Sequence, residues 1–173
     1  APLIVAVRAG SVDNSRLLLD AGANANAADA DRRSALSLAA TQSDTRLLSL
    51  LLQHKAEVLG RDEAGRTALW HAARDGQSAA VQSLLGAHAD PEAADKEGYM
   101  PLMAAASGGD LATVELLLQA RVRVDAAASS GDTALLIAAA GCLSDIVQAL
   151  LRASALSNVQ NQHGDTALIA ASR

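Results

Sequence analysis

Apolar positions along this 173-residue chain recur with one fixed period. Leu3, Leu36, Leu69, Leu102, Leu135 and Leu168 stand 33 residues apart, with no insertion or deletion between them. Each anchors a short alanine-rich stretch, best formed in Gly65-Arg66-Thr67-Ala68-Leu69-Trp70-His71-Ala72-Ala73 and repeated as Gly98 to Ala106, Gly131 to Ala139 and Gly164 to Ala171. A second, leucine-rich run follows each stretch after a polar break. Both runs carry apolar residues at helical spacing, so each period predicts two helices and a loop. A period of this size marks supersecondary units stacked in series, and it governs how every local motif is read.

Six copies follow. Residues 1–26 hold part of the first, with Leu3, Ala6 and Val7 on one helix and Leu17, Leu18 and Leu19 on a second that ends at Gly22. Asn14 and Ser15 stand where later copies have apolar pairs such as Leu47-Leu48, which predicts a more polar face fit for a terminal position. The second copy, 27–60, predicts helices over 34–41 and 45–53, with Leu47, Leu48, Leu50, Leu51 and Leu52 inward. In the third, 61–93, Thr67 is placed to cap its helix by accepting a backbone N–H bond, worth roughly 1 kcal/mol, and Val81, Leu84 and Leu85 form the second-helix core. The fourth, 94–126, has Pro101 at the first helical position, where its missing donor is not needed, and Met100 without a capping hydroxyl. Its second helix is predicted over 111–119, with Val114, Leu116, Leu117 and Leu118 inward. The fifth, 127–159, uses Thr133 as cap and Ile146, Val147, Leu150 and Leu151 as core, and the sixth, 160–173, contains one helix. No linker interrupts the series, so 1–173 is expected to form a single domain.

These copies resemble the ankyrin repeat family, whose unit begins Gly-x-Thr-Pro-Leu-His-x-Ala-Ala. The resemblance covers nearly the whole chain. It implies an all-α solenoid of stacked helix-turn-helix units joined by β-hairpin-like loops. Two departures from the family pattern carry structural consequences. The family's Gly after the second helix is kept only at Gly22; Lys55, His88, Arg121 and Ser154 fill the slot later, which predicts positive φ at residues that carry a Cβ. The family's His after the anchor Leu is replaced by Ser37, Trp70, Met103, Leu136 and Ile169, so first helices are expected to be held mainly by packing. Arg32 also stands where the family has a turn Gly.

Composition narrows the chemistry. Half the residues are apolar, yet there is one Trp, one Tyr and no Phe, so the core is built from Ala and Leu, as closely stacked helices require. Net charge is −5 with both signs interspersed, which argues against nucleic-acid binding. A single cysteine, Cys142, excludes an intrachain disulfide and a cysteine zinc site, and is expected to be a small packing residue. The sequence contains no transmembrane run and no signal-peptide pattern, and a cytoplasmic location is the expectation. Because the chain opens in mid-repeat, flanking repeats or domains of the same chain are expected too.

No catalytic constellation emerges. His54, His71, His88 and His163 lack metal-ligand spacing, and no cofactor or metal is expected. Asp62 and Asp95 precede their turns at equivalent positions, where side-chain bonding to turn N–H groups explains them. Gly108-Gly109-Asp110 is an inter-helix loop rather than a phosphate loop. Asn26 loosely resembles the repeat asparagine that intracellular hydroxylases modify, although a turn-stabilising role fits it better.

The family resemblance implies a partner protein docked on a concave face of hairpin tips and first helices. Carried over slot by slot, that face offers Arg33 and Gln42 in copy two, and Glu63, Arg66, Trp70, Arg74 and Asp75 in copy three. Copy four adds Lys96, Tyr99 and Ser107, and copy five Asp132. Tyr, Trp and Arg dominate interface energetics, which places the expected anchors in the middle copies. Trp70 has an alternative role as a filler of the missing histidine's space, and Tyr99 as a solvated tip residue. A non-enzymatic protein-binding module is the leading expectation. A spacer within a longer chain and an inhibitor that occludes an enzyme's active site are the alternatives.

Overall fold

The computed structural model describes residues 1–172; Arg173, the end of the sixth copy, lies outside them. Among the described residues there are eleven helices and no extended strand. First helices are α1 (Pro2–Arg8), α3 (Ala35–Ala40), α5 (Ala68–Arg74), α7 (Pro101–Gly108), α9 (Ala134–Ala140) and α11 (Ala167–Ala171). Second helices are α2 (Val12–Asp20), α4 (Arg46–Gln53), α6 (Ser78–Gly86), α8 (Leu111–Gln119) and α10 (Ser144–Arg152). From α1 to α9 each first helix packs on its own second helix and on the first helix of the next copy, and the second helices lie in a row behind.

Local chemistry sets the helix starts. Ser34, Thr67, Thr133 and Thr166 each accept a bond from the backbone N–H three residues on, while Met100 offers none and α7 relies on Pro101 instead. The helix ends are set by backbone shape. Lys55, His88, Arg121 and Ser154 all lie at φ between 58° and 68°, beside Gly22 at 86°. This left-handed residue lets the N–H that follows reach a carbonyl five residues back, as in Ala56 to Leu51 and Ala89 to Leu84, at 3.0 and 2.9 Å. Arg32, in the turn slot that Gly65, Gly98 and Gly131 fill elsewhere, has φ 60° for the same reason.

Between copies the chain forms a two-residue-wide hairpin, closed by bonds such as Asp62 N–H to Arg66 O and Asp95 N–H to Tyr99 O, both 3.0 Å. Adjacent tips are joined in turn. The N–H groups of Glu63, Lys96, Ser129 and Gln162 donate to Asp31, Ala64, Glu97 and Ser130 carbonyls at 2.8–3.1 Å, a ladder that fixes copy against copy. The tips approach so closely that a Cβ on Gly131 would lie 2.9 Å from Asn161 Cα. A parallel tie runs behind: Asn26 Oδ1 accepts from Glu57 N–H, Glu92 from Arg123 and Asp125 from Leu156, all at 2.7–2.8 Å. Asn26 therefore has an inter-copy structural role. Leu59 holds the equivalent slot in the second copy and cannot accept such a bond.

The core follows the period. Leu3, Leu36, Leu69, Leu102 and Leu135 are at most 3% exposed and form one inner column. Leu168 departs from it at 81%, because α11 packs against α9 with no second helix of its own copy among the described residues. Leu151, expected inside, is 45% exposed at the same end. Of the four apolar residues expected inward on α8, Val114 and Leu117 are buried, whereas Leu116 and Leu118 are half-buried.

Two further expectations are corrected. Ser15 does not contribute to a polar outer face: it is wholly buried, in line with Leu48 and Val81, and its hydroxyl meets no partner, while Asn14 is exposed. Cys142 is exposed rather than packed, at φ 55° in a slot filled by Gly76 and Gly109 in earlier copies.

Two stability outcomes follow from these backbone and polar details. His88→Gly relieves a left-handed Cβ and is expected to leave stability unchanged or raise it by up to about 1 kcal/mol; a clear fall in the urea midpoint contradicts the left-handed strain. Thr113 sits on α8 with its hydroxyl fully buried and unpartnered. Thr113→Val keeps its shape and removes that unmet donor, so a gain of about 1 kcal/mol is expected in the same assay.

Candidate protein-binding face

On the face made by hairpin tips and first helices, the turn aspartates organise what surrounds them. Asp95 Oδ1 accepts from the N–H groups of Glu97 and Tyr99 at 3.0 and 2.9 Å, and Asp29 and Asn161 act alike in their own turns. Asp62 Oδ1 takes the Arg66 N–H at 2.8 Å. This is the turn-bonding role expected of these acids. The fifth copy has Ala128 in that slot, and Ser130 and Asp132 supply its side-chain bonds instead.

The second oxygen of each aspartate recruits a different partner. Arg66 Nε approaches Asp95 Oδ2 at 3.3 Å, and the Arg66 guanidinium lies 4.2 Å from the Trp70 ring centroid, a cation–π contact. Arg33 occupies the equivalent tip position one copy earlier, so the same geometry would send it to Asp62. His71 holds that oxygen instead, at 2.8 Å, and the Arg33 Nε is buried without a partner. The His71–Asp62 bond ties α5 to its own turn, so this first helix is held by more than packing.

Trp70 is 7% exposed. Its indole N–H donates to the Tyr99 carbonyl at 3.0 Å, bridging α5 to the next tip, and its ring meets His71 edge-on. It fills space as an interior residue and offers one edge as a floor. Above that floor Arg66, Trp70, Arg74, Tyr99 and Ser107 surround a cleft of about 180 Å³. Two acids and a small residue complete the lining: Asp95, Glu97 and Ala104. Glu97 falls on this face by slot matching, whereas the part of Asp95 and Ala104 was not evident, because Asp95 reads as a turn residue and Ala104 as core.

The remaining positions on this face lie outside the cleft. Gln42 donates through Nε2 to the Val7 carbonyl at 2.7 Å and so ties copy two to copy one. Glu63, Asp75 and Lys96 are exposed. Asp132 is half-buried and accepts from Ser130 and Asn161 side chains, both at 2.8 Å, and from the Tyr99 hydroxyl at 3.4 Å. Larger clefts occur elsewhere: one polar between α2 and α4, one apolar beside Leu168, and one between Asn26, Arg32, Glu57 and Arg61. Among the described residues no cluster of His, Cys, Asp and Glu could hold a metal ion, and no helix is long and apolar enough to cross a membrane.

Paired helices stacked in one row, with hairpin tips projecting along one edge, define a helical repeat solenoid. The family model of ankyrin repeats (3 copies) matches residues 3–95 and 73–162, and the chain belongs to the ankyrin repeat family. Ankyrin repeats are generally protein–protein interaction modules and are typically non-enzymatic. No curated protein matches the chain.

His71 gives this face a pH dependence. Burial is the largest influence on it and pushes its pKa below the ordinary 6.5; the nearby Arg33 adds to the effect, and the Asp62 bond opposes both. The geometry suits the neutral ring, with the Nε2 proton donated to Asp62. Folding therefore favours deprotonated His71, a contribution complete above the unfolded-state pKa and lost as pH falls through and below 6.5. His71→Gln should flatten the decline of thermal midpoint between neutral and mildly acidic pH; an unchanged slope places the titrating group elsewhere.

Proposed function

We propose that this chain is a non-enzymatic recognition module that docks a partner protein on its hairpin tips and first helices, centred on the cleft over Trp70. The supporting observation is that Arg66, Trp70, Arg74, Tyr99 and Ser107, drawn from two copies, meet around one small cavity. Arginine and aromatic side chains around a partly desolvated depression are the composition that dominates interface energies. The tip ladder holds them in place before any partner arrives, so little ordering entropy opposes association. Glu63, Asp75 and Lys96 form a charged rim that tunes encounter more than affinity.

Capture of partners from lysate by the intact chain, compared with a Tyr99→Ala/Arg66→Ala double variant, tests this function. Specific capture weakened at least about tenfold, roughly 1.4 kcal/mol, is expected, with the variant's melting curve confirming that the stack persists. Capture that survives both substitutions moves the docking site off this face, and the absence of specific capture by either chain favours the spacer role.

A further inference from the structure

The cleft over Trp70 has an uneven set of uncommitted polar groups. Asp95 is spent: its side chain is 2% exposed, and both oxygens already accept bonds. Arg66 engages it through Nε alone, so its terminal nitrogens make no hydrogen bond among the described residues. Arg74, exposed at the end of α5, makes no ion pair or hydrogen bond within the described chain, and neither does the Ser107 hydroxyl on α7. Three sets of donors thus face one small cavity, and the only uncommitted acid beside them, Glu97, stands exposed at the tip.

Along the row of equivalent tip positions the charge changes sign. Arg33 and Arg66 come first, Tyr99 is neutral, and Asp132 follows. The bonds the Asp132 side chain accepts come from Ser130, Asn161 and Tyr99, all neutral, and among the described residues no cation forms an ion pair with it. That leaves it an acceptor suited to a cationic group from outside.

Resting on the proposed docking function, we infer that the occupant is an extended segment of the partner protein. An acidic side chain enters the Trp70 cleft, and a basic residue follows over Asp132. Carboxylate oxygens match the planar forks of two arginines and a hydroxyl in a way that no apolar or basic anchor does. The cleft lies between copies three and four, and Tyr99 on its wall reaches Asp132 in copy five. Helices pack ~8–10 Å apart, so one to two copies separate the charges by ~8–20 Å, which extended chain at ~3.3 Å per residue covers in about three to six residues. Opposite charges at the two ends also set the direction in which the segment lies.

Selection of short random peptides on the immobilised chain, followed by titration of the enriched sequences, tests the inference. The expected peptides carry Asp or Glu and, about three to six residues away, Lys or Arg. Arg74→Glu, which breaks no internal contact, should weaken them at least about tenfold, and replacing the peptide's acid by Lys should restore binding to that variant. Enriched peptides without an acid, no enrichment, or indifference to Arg74→Glu overturns the inference. Tighter binding when phosphoserine replaces the acid overturns the carboxylate assignment. If partner capture still depends on Tyr99 and Arg66 in any of these cases, the docking function stands and only the charge pattern falls.

Discussion

Everything in this molecule depends on one copy covering the apolar side of the next. Leu135 and Leu168 are the same residue in the same slot, yet one is 2% and the other 81% exposed. The difference between them is the neighbouring helices. Full burial of a leucine side chain is worth about 1.5–3 kcal/mol, so a lone helix pair forgoes much of its core and a stack recovers it copy by copy. Stability is therefore distributed as repeat and interface terms rather than held in one central globule.

That lateral dependence also demands a strict period. If one copy were a residue longer, its tip would lose register with the next, and the bonds from Glu63 to Asp31 and from Lys96 to Ala64 could not both form. The ladder has little tolerance, as the closeness of Gly131 to Asn161 shows. Within this frame the backbone dictates conformation even to unsuited residues. Lys55, His88, Arg121, Ser154, Arg32 and Cys142 all take left-handed angles because the turn needs them, whatever the side chain. A uniform scaffold can then carry irregular side chains on its edge, where they pack less tightly than the core.

The middle copies show how such irregularity shapes a cleft. His71 displaces Arg33 from Asp62, while the equivalent Arg66 keeps Asp95 and lies over Trp70. One histidine thus leaves a guanidinium unmatched in copy two, and the tryptophan in the next slot builds the floor of a cleft in copy three. Both residues stand within the segment that most closely follows the family pattern. Small changes there alter the surface without disturbing the stack behind it.

The period, the helices, their capping residues and the left-handed helix ends were all legible in the amino-acid sequence. Each depends on residues within a few positions of one another, or on a spacing repeated six times. That Tyr99, Arg66 and Arg74 share one face was legible too, since register alone carries one copy onto the next. What sequence could not supply was how side chains from different copies share their partners. Whether Asp62 takes Arg33 or His71, whether Ser15 points in or out, and whether Leu151 and Leu168 are covered depend on which groups best fit a shared space. Those outcomes are contests between atoms distant along the chain, and only the packed stack, which fixes their distances, decides them.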